Sequence, residues 1–232
     1  MNPFRSKPSA STDSRRCLPP NCWHSSTDIG LSGNFADTWL GGGASAFSLT
    51  HYRGHLDLTD AASLATDAAT AQTDGHFTKT VLTWQRQQAV AQNLNLNLSF
   101  TGQLAGKNLD SSEKLYLGGA DGVRAYPQGK GGGDQGYKLT GELRWRLPGA
   151  STGANTLYLN TFYDYGQVTV NKKTYTTDDN RRSLAAAGLG LLWVQGSDFA
   201  VRLDYAWKVG HEATTADTDK NGRCWLQAVK YF

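Results

Sequence analysis

Asp164 and Glu142 are the carboxylates whose setting in this chain invites a chemical reading. Asp164 shares a strand face with Asn160 and Phe162, opposite Leu157, Leu159, Thr161, Tyr163 and Tyr165. Glu142 lies with Lys138, Thr140, Arg144 and Arg146, opposite Tyr137, Leu139, Gly141, Leu143, Trp145 and Leu147. Shared facing does not make the two a general acid and base, which must also reach one reacting atom. Other constellations fail on their own geometry. Asp217-Thr218-Asp219-Lys220-Asn221-Gly222 opens like a calcium loop, but Ala228 stands where the bidentate acid belongs and turn formers explain the run. His51 and His55 share a face but sit about 13 Å apart at strand rise, too far to chelate one metal. Gly129-Lys130-Gly131-Gly132-Gly133 lacks the hydroxyl residue and following helix of a phosphate loop. No serine stands in a nucleophile-elbow context. The residues support neither an enzyme nor a cofactor, and no metal.

The elements that carry these residues read as strands. About nine have membrane-crossing length: 29–35, 46–58, 77–87, 94–100, 137–147, 157–167, 184–193, 199–207 and 223–232. In the clearest, apolar residues face one way and Lys138, Arg144, Arg202 and Lys208 the other. A soluble barrel would place the apolar face inside; lipid outside and a watery lumen reverse the assignment. Connections alternate long (59–76, 105–136, 168–183, 210–222) with short (88–93, 148–156, 195–198), the rhythm of outer loops and periplasmic turns. Trp145, Trp193 and Trp207 fall near strand ends, where an aromatic belt would place them.

Composition agrees with an all-β chain and excludes other classes. The protein has 232 residues, with Gly 26, Trp 7 and Tyr 10 beside Met 1. Mean hydropathy is −0.49. Its least polar stretch, Leu184–Val194, is too short for a spanning helix, which needs about 20 residues. The net charge of +3 is spread along the chain, so no nucleic-acid surface is indicated. Three cysteines form no disulfide framework, and Cys17 and Cys22 lack the second pair of a zinc site. Residues 1–26, rich in Pro, Ser and Arg, show no apolar period and no signal-peptide core. They are expected to be unstructured, or a misassigned start joined to the barrel that occupies 27–232.

The segment Leu117–Leu147, LGGADGVRAYPQGKGGGDQGYKLTGELRWRL, resembles the sixth-loop motif and following strand of the ShlB/FhaC/HecB family. These are the TpsB outer-membrane transporters of two-partner secretion. The loop motif is Val123-Arg124-Ala125-Tyr126, with Ala125 where the wider superfamily most often has glycine. Phe162-Tyr163-Asp164 matches the family's Phe-x-Asp on the second strand after the loop. The resemblance implies that loop 105–136 folds into the lumen and that Arg124 meets Asp164, with Glu142 a further lumen contact. It also implies an antiparallel transmembrane β-barrel of sixteen strands, of which this chain would hold about nine as a C-terminal part without POTRA domains. Nine strands would leave two open edges, so the chain alone is expected to be a truncated, non-competent transporter. Phe232 resembles the terminal aromatic read by the barrel-assembly machinery. The implied partners are a secreted haemolysin- or adhesin-like exoprotein and outer-membrane lipid. A BamA- or TamA-like insertase shares the loop arginine, and a soluble β-sheet binding protein is the reading from a different class.

Overall fold

A computed structural model describes residues 4–16, 22–210 and 221–231. Ten long strands make one antiparallel sheet: β1 (Phe4–Arg16), β2 (Cys22–Asp37), β3 (Gly43–Leu58), β4 (Gly75–Ala91), β5 (Leu94–Ala105), β8 (Gln135–Arg146), β9 (Asn155–Thr169), β10 (Arg181–Gln195), β11 (Phe199–Lys208) and β12 (Gly222–Lys230). Each pairs with its neighbour in that order, and β1 and β12 are the two edges. Two short strands, β6 (Leu115–Tyr116) and β7 (Gly132–Gly133), pair with each other in the connection between β5 and β8. The only α-helix among the described residues, α1 (Ala61–Ala69), caps the connection from β3 to β4. Its N-terminus is closed by Asp60, whose side chain accepts from the Ser63 backbone N–H.

The period-two patterns set the curvature and the two faces. Leu31, Leu49, Leu82, Leu143, Leu159, Leu189 and Leu203 are exposed on one side. Glu142, Asn160, Asp164 and Asp204 are buried on the other. Exposed leucines in a continuous band, with charge on the concave side, are the arrangement of a lipid-spanning barrel wall. The register carries the alternation unbroken from strand to strand, so that Thr140, Asp164 and Ala186 lie side by side. A one-residue slip would have turned every one of them outward.

The amino-terminal expectation is corrected. Residues 4–16 and 22–26 are strand, paired in register from Phe4↔Phe35 to Arg16↔Trp23, so the sheet has ten strands rather than nine. Main-chain hydrogen bonds carry this pairing, and they need no apolar alternation. Pro8 is tolerated because β1 is an edge strand, where one row of backbone donors has no neighbour.

The dry core sits inside the curve. Leu117, Val123, Ala125 and Tyr126 of the β5–β8 connection pack with Phe162, Val168, Leu184, Ala186 and Ala206 of β9, β10 and β11. A smaller cluster of Phe77, Ala105 and Leu109 anchors the start of the same connection.

Candidate functional site

The connection 106–134 enters the lumen because its backbone can turn tightly and because the wall opposite leaves room. At Gly119 φ is +129°, a backbone conformation that residues with a Cβ rarely adopt and glycine takes freely. On the wall, a Cβ on Gly188 would lie 2.2 Å from Phe162, and one on Gly166 would lie 2.7 Å from Leu117. With Ala186 and Ala206 these small inward residues form a shallow seat in which the loop lies.

Arg124 stands at the centre of that seat, 3% exposed. Its Nε and Nη2 donate to the two oxygens of Asp164, each at 2.8 Å, and its backbone N–H donates to the same carboxylate at 3.2 Å. Nη1 donates to Glu142 Oε2 and to Asp204 Oδ2, both at 3.0 Å. Thr140 donates to Asp164 at 2.9 Å, and the guanidinium lies 3.2 Å from the centre of the Phe162 ring. Arg144 donates to Glu142 at 2.7 Å, and Arg202 donates to Asp204 at 2.7 Å and also to Glu142. Three guanidiniums thus meet three carboxylates, and the cluster is electrically neutral. Burial works against the charge on Arg124, yet the hydrogen bonds and field of Asp164, with Glu142 and Asp204, hold its proton more firmly than an ordinary arginine's. Such a bidentate, fully partnered guanidinium is a strong and directional tie. It ties the loop to the wall, and Arg124, Glu142, Arg144 and Arg202 also border the cavity beside it.

The sequence residues fall as follows. Val123, Arg124, Ala125 and Tyr126 are all buried at the loop tip, and Phe162 and Asp164 lie beneath them on β9. Glu142 of β8 joins them directly. The Tyr126 ring has the Lys208 ammonium 5.2 Å from its centre. Phe232 lies outside the described residues. Five members, Thr140, Arg144, Arg202, Asp204 and Trp225, were not singled out as site residues from the sequence. Asp204 and Arg202 were legible as inward by alternation, but nothing in the chain shows that β11 reaches a loop 80 positions earlier. Trp225 of β12, whose indole N–H donates to the Arg124 carbonyl at 2.6 Å, gave no signal at all.

The root of the loop is tied as firmly as its tip. Buried Asp134 accepts from Lys114 at 2.6 Å, from the Leu109 N–H at 3.1 Å and from the Lys172 N–H at 2.7 Å. Gln103 of β5 donates to the carbonyls of Glu113 and Asp134, each at 3.0 Å. The Glu113 carboxylate takes Lys79 of β4 at 2.8 Å and lies 3.1 Å from His24 of β2. Beside the docked loop a cavity of about 620 Å³ remains against the opposite wall, lined by Asn34, Gln85, Gln87, Asn97 and Ser99.

Comparisons with known proteins converge on one group. A sequence model described as "Haemolysin secretion/activation protein ShlB/FhaC/HecB" matches residues 24–192. The heme/hemopexin transporter protein HuxB of Haemophilus influenzae is 28% identical over 193 residues, covering 82% of this chain and 33% of that protein. HuxB of strain 86-028NP is 27% identical over 210 residues, covering 89% of this chain and 36% of the relative. The chain therefore spans about a third of the length of the curated relatives it matches. Among solved structures, CdiB from Escherichia coli superposes with a TM-score of 0.56 at 15% identity, over 98% of this chain and 50% of that one. That likeness supports the fold.

Proposed function

We propose, from the premise that this chain belongs to the ShlB/FhaC/HecB family of outer-membrane β-barrel proteins, that it supplies barrel wall and lumen loop to a two-partner secretion transporter. The exported partner is an unfolded exoprotein, of the haemolysin or adhesin kind, which crosses through the lumen. The single observation that carries the reading is the loop held inside the barrel by Arg124. A segment of 29 residues between β5 and β8 lies inside the curve of the sheet and is fastened by charge and side-chain packing, not by continuous strand pairing. Such a plug is compact when docked and, once Arg124 is released, has few backbone bonds to the wall to break.

The lining fits passage of an extended chain. Asn, Gln and Ser side chains beside the cavity present both donors and acceptors, which exchange with backbone amides without committing to one sequence. The long connections, with α1 among them, are assigned to the cell exterior and the short turns to the periplasm. Outer-membrane lipid faces the leucine band, and the barrel-assembly machinery is the partner for insertion.

The test is export. Cells lacking the complete gene are expected to retain the exoprotein it exports, and complementation is expected to return that exoprotein to the culture medium. Normal export without the gene, or a general fall in unrelated outer-membrane proteins in its absence, would overturn the reading, the second in favour of an insertase.

A further inference from the structure

The short turn between β2 and β3 takes no part in docking the loop, yet it is held more tightly than a five-residue connection requires. It contains a single 3-10 turn, Trp39–Gly41, in which Leu40 has φ 49° and ψ 41°. That left-handed conformation is disfavoured for leucine. Side chains from the neighbouring strands hold it. Arg86 makes two bonds to the Asp37 carboxylate, at 2.8 and 3.0 Å, and a third to Ser45 Oγ at 3.1 Å. Gln88 accepts from Arg86 Nε at 3.0 Å. The Gln88 amide nitrogen lies 2.9, 3.2 and 3.0 Å from the carbonyl oxygens of Trp39, Leu40 and Gly42. The Trp39 ring stands 5.7 Å from the Arg86 guanidinium carbon, while Trp39 and Leu40 remain 65% and 67% exposed.

The face on which this happens decides what it is for. Asp37 shares parity with Leu31, Ser45 with Leu49, and Arg86 and Gln88 with Leu82, and those three leucines are exposed on the convex side. In β4 the opposite parity carries Lys79, which reaches the lumen loop at Glu113. The clamp is therefore on the outer surface, continuous with the apolar band. A turn standing in water has its carbonyls satisfied by water and has no need of such a cover. Here Gln88, with the Gly42 and Ala89 N–H groups, meets the carbonyls of Trp39, Leu40 and Gly42; Arg86 and Asp37 neutralise one another; and the side chains left facing outward are an indole, an isobutyl and the small Thr38. Those are the conditions for a turn without water. An indole beside a paired guanidinium is also what the boundary between headgroups and acyl chains accommodates best.

The geometry points to the turn 38–42 as a membrane anchor: Trp39 and Leu40 insert among phospholipids at the headgroup boundary of the leaflet on the short-turn side. The anchor rests on the lipid-facing reading of the barrel wall, and its experiment separates the two. The complete gene product and its W39F variant are placed in liposomes, and the difference in their fluorescence isolates Trp39. Phosphatidylcholine brominated near the glycerol end of its chains is expected to remove about twofold more of that difference signal than aqueous iodide does. Quenching by iodide alone would put the turn in water, and quenching by neither would put it under a protein partner; each result overturns the anchor. W145F and W207F supply the control, since Trp145 and Trp207 lie exposed on the same outer face. If bromine quenches those two and not Trp39, only the anchor fails. If it quenches none of the three, the lipid-facing wall fails with it. Should W39F not assemble, relaxation of the amides of 38–42 by spin-labelled lipid, in the unaltered protein, decides between the same outcomes.

Discussion

The two inner walls of this barrel are built on the same alternation and do opposite things. Along β9, β10 and β11 the inward residues beneath the loop include Gly166, Ala186, Gly188 and Ala206 with the acids Asp164 and Asp204, beside the larger Phe162, Val168 and Leu184, and the loop packs on them; Asp164 and Ala186 have no exposed surface. Along β2, β3, β4 and β5 they include Asn34, Gln85, Gln87, Asn97 and Ser99, and a cavity stays open. The difference lies in side-chain volume and in the sign of charge. Glycine and alanine let a second layer of backbone approach, and carboxylates give its arginine a partner. Long amides keep a second layer away and interact well with water. One wall is a seat and the other borders an open cavity, and alternation alone distinguishes neither.

Three substitutions test that contrast, from the strongest effect to the weakest. Asp164→Ala leaves Arg124 buried without its bidentate partner, and removal of one member of such a pair typically costs ~3–5 kcal/mol. Part of that is recovered through Glu142 and Asp204, so the loop is expected to leave its seat in a fraction of molecules. The check is hydrogen exchange of the amides of 117–126, which should quicken sharply while the amides of β3 and β4 stay protected. Unchanged protection at the loop tip would mean that packing, not charge, holds it. Gly188→Leu fills the seat from below. Phe162 lies within 2.2 Å of where the new Cβ would stand, and overpacking of this kind costs ~1–3 kcal/mol. Its thermal unfolding in detergent should shift downward, by less than for Asp164→Ala. The smallest effect belongs to the cavity wall. Asn97→Ala removes an amide that borders the cavity, and stability should stay within ~0.5 kcal/mol of the parent. Single-channel conductance in planar bilayers is the sensitive readout there, and a stability loss equal to that of Gly188→Leu would erase the distinction between the walls.

How much of this could be read in advance varies by residue. Arg124 and Tyr126 announced themselves by a motif in a glycine-rich connection, and Asp164 by Phe-x-Asp on an alternating strand. Those signals are local, a few residues wide. Glu142 was legible as inward, and only the docked loop shows that it shares Arg124 with two other acids. Asp204 and Arg202 had the right parity and no further mark, because their partner is brought to them by curvature across β9, β10 and β11. β1 and the first part of β2 were missed because main-chain bonds carry their pairing, to one neighbour for β1 and to two for β2, while their side chains show no apolar period.

Order within strands, the choice of faces and the identity of the loop arginine were settled by the chain itself, since each depends on neighbours one or two positions away. Which acids surround that arginine, which wall takes the loop, and how the turn at Trp39 is fastened depend on strands brought together from distant positions. Local stereochemistry sets the first group; the second exists only once the sheet has curved and its register has fixed which side chains stand beside one another.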